Sequence, residues 1–356
     1  MIDLAAMFAK VLEADASDLH LRVGRPPRLR LHGDLVPVET LGVAQASDLS
    51  RLSLEVLTDA QQARLAAENE VDCAWTEPSG TRYRASFFRD MAGLAVTFRR
   101  IASQVQTIES LNLPEEVERL AHLHHGLVLV TGATGSGKSS TLAALIDVIN
   151  RHYVKHVVTL EDPIEFVHQG ARSLIQQRAV GDDVPSFAQG VRDALRADAD
   201  VLLVGELRDL ETTRAALTAA ETGMLVYATT HTNDAAQTID RVVDAFPVGE
   251  QSQVRAILAE SIAGILSQVL LRRADRSGRV PATELLIGTP AVGALVRDGK
   301  THELANVIQG GRDKGMHRLD DSIERLIKHG IVMREEGVVS ARHRTRFDRR
   351  PLPAPG

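Results

Sequence analysis

The rhythm of apolar and polar positions changes between residues 100 and 126. Before that point the two alternate over short stretches. Asp18-Leu-His-Leu-Arg-Val and Arg28-Leu-Arg-Leu-His both predict strands, the second running into a turn at Gly33-Asp34. Tyr83–Phe88 and Leu94–Phe98 predict a further antiparallel pair, and Val71–Trp75 is another strand-like run. Helical spacing covers Met1–Lys10, Ala46–Leu57 and Asp59–Glu68, with Thr58 placed to cap the last of these. Residues 1–100 are therefore expected to form an α+β domain on antiparallel strands.

A polar stretch within residues 101–114 reads as a linker. From Gly126 the apolar residues run on without a break: Leu127-Val-Leu-Val, Val157-Val-Thr-Leu, Val201-Leu-Leu-Val and Leu225-Val-Tyr-Ala, separated by helical segments. Such runs suit central parallel strands covered on both faces. A doubly wound α/β domain is expected over residues 115–340. Its part after Gly249 reads as mainly helical, including a long helix from Gln251 to Arg272. There is no internal repeat.

Composition narrows the function classes. The net charge of −6 argues against a nucleic-acid partner. The basic run Arg342-His-Arg-Thr-Arg346, followed by Arg349-Arg350, reads as a solvated, disordered tail over residues 341–356. One cysteine, Cys73, excludes a disulfide framework and a four-cysteine zinc site, and is expected in the core. The N-terminus lacks the cationic start and apolar stretch of a signal peptide, and no run is long enough to span a bilayer. A soluble cytoplasmic protein with no membrane-inserted segment is expected.

The chemistry concentrates in the second half. Gly132-Ala133-Thr134-Gly135-Ser136-Gly137-Lys138-Ser139 fits the phosphate-loop pattern in full, between the strand Leu127–Thr131 and a helix opening at Ser140. The glycines let backbone N–H groups close around phosphates, and the helix N-terminus adds its positive end. Lys138 is expected to reach the β- and γ-phosphates of ATP, and the Ser139 hydroxyl to ligate Mg²⁺. Hydrolysis needs a further carboxylate. At the end of Val201–Val204, Gly205 stands where an aspartate is customary and Glu206 follows, well placed to orient or deprotonate water. The metal role then passes to Glu161 and Asp162, directly or through water, in the cluster Glu161-Asp-Pro-Ile-Glu165 after another strand. His231 ends Leu225–Thr230 at the same expected edge and is placed to sense the γ-phosphate, its plainer reading being structural.

Four segments together resemble the nucleotide boxes of secretion ATPases: Gly132–Ser139, Thr159–His168, Val204–Asp209 and Thr230–Arg241. More narrowly the chain resembles the type IV pilus twitching-motility ATPases, the PilT and PilU family, from Ala16-Ser-Asp-Leu-His20 to about Leu326. That resemblance implies a PAS-like N-terminal domain, a RecA-like ATPase domain and a homohexameric ring. It also implies docking to an inner-membrane pilus platform protein from the cytoplasmic side. It makes Glu206 the catalytic glutamate and Glu165 its partner. Arg82-Tyr-Arg84 and Phe98-Arg99 match the family pattern for arginines that serve the nucleotide, which singles out Arg84 and Arg99. A guanidinium suits charge developing on the γ-phosphoryl oxygens.

The chain departs from the family at three places. Met224 replaces a customary histidine. Ala291-Val-Gly-Ala-Leu-Val-Arg-Asp298 replaces Ala-Ile-Arg-Asn-Leu-Ile-Arg-Glu, and Gly293 lowers helix propensity there by about 1 kcal/mol relative to Ala. The basic tail after Val339 has no family role that the resemblance transfers to it. The expected function is ATP-driven pilus retraction. The alternatives are an accessory, PilU-like motor that needs a second retraction ATPase, a nucleotide-gated scaffold, and a nucleic-acid translocase.

Overall fold

The alternating N-terminal stretches pair as strands in a computed structural model that describes residues 4–31, 34–101 and 105–348. Met1–Asp3 of the first expected helix, Gly33 of the expected turn, residues 102–104 of the linker and residues 349–356 of the tail lie outside these. One compact unit comprises Met1–Gln104 with Pro163–Val167; the other comprises Val105–Asp162 with His168–Gly356.

In the first unit α1 (Leu4–Glu13) precedes β1 (Asp18–Arg22), β2 (Arg28–Leu31) and β3 (Asp34–Pro37). Next come α2 (Ala46–Val56), α3 (Asp59–Glu68), β4 (Glu70–Thr76), β5 (Arg82–Asp90) and β6 (Gly93–Arg100). The six strands form one antiparallel sheet, ordered β3-β2-β1-β6-β5-β4. Thr58 caps α3, its hydroxyl accepting from the Gln61 N–H at 3.3 Å. Met7, Phe8 and Val11 share a core with Leu19, Leu52, Phe87 and Phe98. The Phe8 ring lies about 5 Å from those of Trp75, Tyr83 and Phe98, a packing that fixes α1 to the sheet. Cys73 is buried in this core, as expected.

The second unit contains β7 (Gly126–Thr131), α4 (Lys138–His152), β8 (His156–Glu161), β9 (Leu174–Ala179), α5 (Phe187–Arg196), β10 (Val201–Val204), α6 (Leu210–Glu221) and β11 (Leu225–Thr230). It continues with α7 (Ala235–Asp244), α8 (Gln251–Ser261), β12 (Ile262–Arg272), β13 (Arg279–Ile287), α9 (Pro290–Arg297), α10 (Leu304–Gly310), α11 (Leu319–Lys328), α12 (Arg334–Ser340) and α13 (Thr345–Asp348). Its seven-stranded sheet is ordered β13-β12-β7-β11-β10-β8-β9, parallel except for β13. The unbroken apolar runs have the expected cause. Leu127 and Leu129 of β7 join one core, while Val128 and Val130 join another on the opposite face.

Two expectations fail. The long helix Gln251–Arg272 ends at Ser261, and residues 262–272 are β12, parallel to β7 and antiparallel to β13. A largely apolar run does not distinguish a buried strand from a buried helix, and here the sheet edge beside β7 decides. Gly264 lets this strand pass the Leu120 side chain, which a Cβ would meet at 2.7 Å. The basic tail is also not disordered over its described part, residues 341–348. Ala341 and Phe347 are buried in a core with Leu319, Ile323 and Ile327. Arg342 pairs with Glu284, and Arg346 with Asp321 and Glu324. Each cation in these pairs meets a carboxylate supplied by β13 or α11, which a reading of the tail alone does not reveal.

Candidate nucleotide site

Parallel strands put their C-terminal ends on one edge, where the loops of open α/β sheets hold ligands. β7 leads there into Gly132–Gly137, β8 into Glu161-Asp162, β10 into Gly205-Glu206 and β11 into His231. The sheet order places the His231 loop between the phosphate loop and Glu206, with β8 beyond.

The phosphate loop is set by its backbone. Gly132 has φ +143°, and a Cβ there would stand 2.3 Å from the Gln268 carbonyl oxygen. Gly137, at φ +89°, begins α4 with no side chain capping the helix. The Lys138 ammonium folds back over the loop and donates to the carbonyls of Gly132 (2.8 Å) and Ala133 (3.1 Å). Ala133, Thr134, Gly135 and Ser139 are exposed, and Ser140 is half-buried. The Ser136 Oγ is buried with no hydrogen-bond partner among the described residues. A glycine cradle, an uncapped helix start, a lysine and an orphaned hydroxyl fit a polyphosphate chain.

Residue 268 explains why the loop holds its shape. The buried Gln268 side chain donates to the Ser136 carbonyl (2.6 Å) and accepts from the Thr141 hydroxyl (2.9 Å). The next strand position repeats the theme, since the Thr131 hydroxyl donates to Ser267 Oγ at 2.9 Å. β12 thereby braces both ends of the loop. Sequence reasoning missed these residues because it assigned them to a helix.

Glu206 and His231 meet. Glu206 Oε1 lies 2.8 Å from His231 Nε2, and its Oε2 accepts from the Arg208 guanidinium at 2.8 Å. Arg208 is a neighbour that sequence reasoning did not single out. Thr229 ties the two loops together, its hydroxyl donating to the Gly205 carbonyl and its own carbonyl accepting from the Leu207 N–H. Gly205 also has a spatial reason to be glycine. A Cβ would stand 3.1 Å from the Leu160 carbonyl oxygen and 3.5 Å from the Glu161 Cα.

Glu161 ends β8 at the same sheet edge, and Asp162 follows it. Glu161 accepts from the Thr159 hydroxyl (2.8 Å) and the Gln177 amide (3.2 Å), while Asp162 at the end of β8 is exposed. Glu165 belongs to the first compact unit, as do Arg84 and Arg99. Arg84 pairs with Asp72 at 2.7 Å and Arg99 with the buried Asp18 at 2.8 Å. Burial acts to raise the Asp72 carboxyl, but hydrogen bonds from Ser86 and Arg84 hold it below the usual range. Among the described residues no group of three or more His, Cys, Asp or Glu side chains is arranged to hold a metal ion. Met224 packs into the core beneath the sheet. Gly293 does not break α9. It lets that helix approach α8, where a Cβ would stand 2.6 Å from the Ala259 carbonyl oxygen. No helix among the described residues is long and apolar enough to cross a membrane.

The profile of the Type II/IV secretion system protein family matches residues 1–344. The type IV pilus retraction ATPase PilT of Pseudomonas aeruginosa is 43% identical over 94% of this chain and 96% of its own length. PilU of the same organism is 34% identical over 93% of this chain and 86% of its own. A crystal structure of the pilus retraction motor PilT with bound ADP matches with a TM-score of 0.90 at 37% identity, covering 98% of this chain and 100% of that one.

Proposed function

We propose, for a chain that belongs to the Type II/IV secretion system protein family and within it to the PilT-type twitching-motility ATPases, that it hydrolyses ATP to drive retraction of a type IV pilus. The observation that carries this reading is the Glu206–His231 contact at 2.8 Å beside a complete phosphate loop. In this reading the loop Gly132–Gly137 and the start of α4 bind the phosphates, and Lys138 takes the charge on the β- and γ-groups. Ser139 holds Mg²⁺, with Glu161 and Asp162 contributing directly or through water. A small, strongly hydrated cation needs few protein oxygens when phosphates supply the others.

Glu206 orients the attacking water and accepts its proton. Its hydrogen bonds to Arg208 and His231 hold the carboxylate in one orientation, and movement of His231 would report the γ-phosphate to the β11 loop. Glu165, Arg84 and Arg99 act on the nucleotide from the N-terminal unit, in the same subunit or a neighbouring one. The working form is a homohexamer in the cytoplasm, docked on a platform protein of the inner membrane.

The accessory, PilU-like reading keeps one supporting observation. Gly293 and Ala294 stand where the retraction family carries an arginine and an asparagine, and Ala294 is exposed on α9. Complementation separates the two readings. Expression in a strain without its own retraction ATPases is expected to restore twitching. No twitching alone, but recovery beside a second motor, would overturn independent retraction in favour of the accessory role.

A further inference from the structure

The run Arg342–Arg346 has no part in the proposed hydrolysis, yet its first residue reaches the loop that carries His231. The Arg342 guanidinium donates to both oxygens of Glu284 on β13, at 2.8 and 3.2 Å, and to the main-chain carbonyl of Asn233 at 2.6 Å. Glu284 is buried and accepts in addition from the Ala235 N–H, the first residue of α7, at 3.2 Å. One carboxylate and one guanidinium thus hold the short segment between His231 and α7 where it enters the helix, at Asn233 and Ala235.

The anchor behind Arg342 is independent of that loop. The Arg342 and His343 N–H groups donate to the buried Asp320 at 2.8 and 3.0 Å, and Phe347 fills the core over α11. The segment has an apolar fixing point, a backbone fixing point and one side chain extended to the loop. A planar guanidinium satisfies a carboxylate and a carbonyl together, which an ammonium on a flexible stem does less well.

We propose that Arg342 is a positioning residue for hydrolysis: by bridging Glu284 to the Asn233 carbonyl it fixes the loop that presents His231 to Glu206. The inference rests on the hydrolytic reading above. It predicts that Arg342 sets turnover more than nucleotide affinity.

The test is steady-state ATP turnover by the purified full-length protein. Arg342→Ala is expected to lower kcat about tenfold with KM for ATP changed less than about twofold, and Arg342→Lys to recover part of the loss. Placed in a His231→Ala background, Arg342→Ala is expected to cost nothing further, because the group it positions is gone. Arg346→Ala, which removes ion pairs to α11 and leaves the loop contacts in place, is expected to stay within about twofold of wild type. A wild-type kcat in Arg342→Ala overturns the proposal. So does a loss that adds in full to that of His231→Ala, or an equal loss in Arg346→Ala. A wild-type protein without ATP turnover would sink the hydrolytic reading and this inference together. Turnover that depends on His231 but not on Arg342 would sink this inference alone.

Discussion

The phosphate loop and the Glu206–His231 pair occupy neighbouring strand ends, yet they are held by different means. The loop is built from local backbone: glycines at positive φ, a helix that starts without a cap, and a lysine six residues from the carbonyl it touches. The pair is built from side chains brought together across 25 residues, and the loop behind it is held by partners 49 and 109 residues away. Binding of phosphate is therefore a property of one segment. Orientation of the carboxylate is a property of the folded sheet. This contrast predicts that affinity and turnover can be lost separately.

The widest separation is expected at the two central residues. Glu206→Gln should lower kcat roughly a thousandfold while nucleotide affinity stays within a few fold, read by turnover and by titration with a fluorescent ATP analogue. Lys138→Ala should weaken binding in the same titration by about a hundredfold. Loss of binding in the first variant, or tight binding in the second, would break the division.

A smaller effect tests whether the loop is as local as its pattern suggests. Gln268→Met keeps the volume but leaves the buried Ser136 carbonyl and Thr141 hydroxyl without partners. It should cost about 2 kcal/mol of stability by denaturant unfolding and raise KM for ATP. An unchanged KM would show that the loop does not need β12.

The smallest effect belongs to the outer ion pairs. Burial alone would raise the carboxyls of Asp321 and Glu324, but hydrogen bonds and charge from Arg346 hold both below the usual range. Carboxyls lowered in the fold add stability above their unfolded pKa values, and that stability disappears as pH falls through the lowered ones. Arg346 is partly exposed, so Arg346→Ala should cost at most about 1 kcal/mol near pH 7. Thermal unfolding should show the gap to wild type closing as pH falls through the acid range below about 4.

The same contrast governs what the sequence reveals. Strands β7, β8, β10 and β11 announce themselves because covering on both faces makes them mostly apolar, with threonines as the main exceptions. The glycine loop announces itself because its chemistry is contiguous. β12 does not, because residues 262–272 are apolar enough to be buried in either conformation and only the neighbouring β7 selects the strand. Arg342 looked like solvated charge because its partner Glu284 lies 58 residues upstream. Arg84 and Arg99 have partners in the fold that the family pattern does not display. The pattern names them, while their observed partners are the carboxylates of Asp72 and Asp18, which the pattern does not mention.

Gly205 carries a consequence for anyone who would redesign this enzyme. Restoring an aspartate there would look like a repair, since that is where related folds keep an acid. The strands leave little room for it: the added carbon would stand 3.1 Å from the Leu160 carbonyl oxygen at the end of β8, which would have to give by a few tenths of an ångström. The position is narrowed by the spacing of two strands as well as by the choice of one residue. Moving the acid back would also bring the new side chain into contact with the backbone of Glu161, the acid whose work it would share.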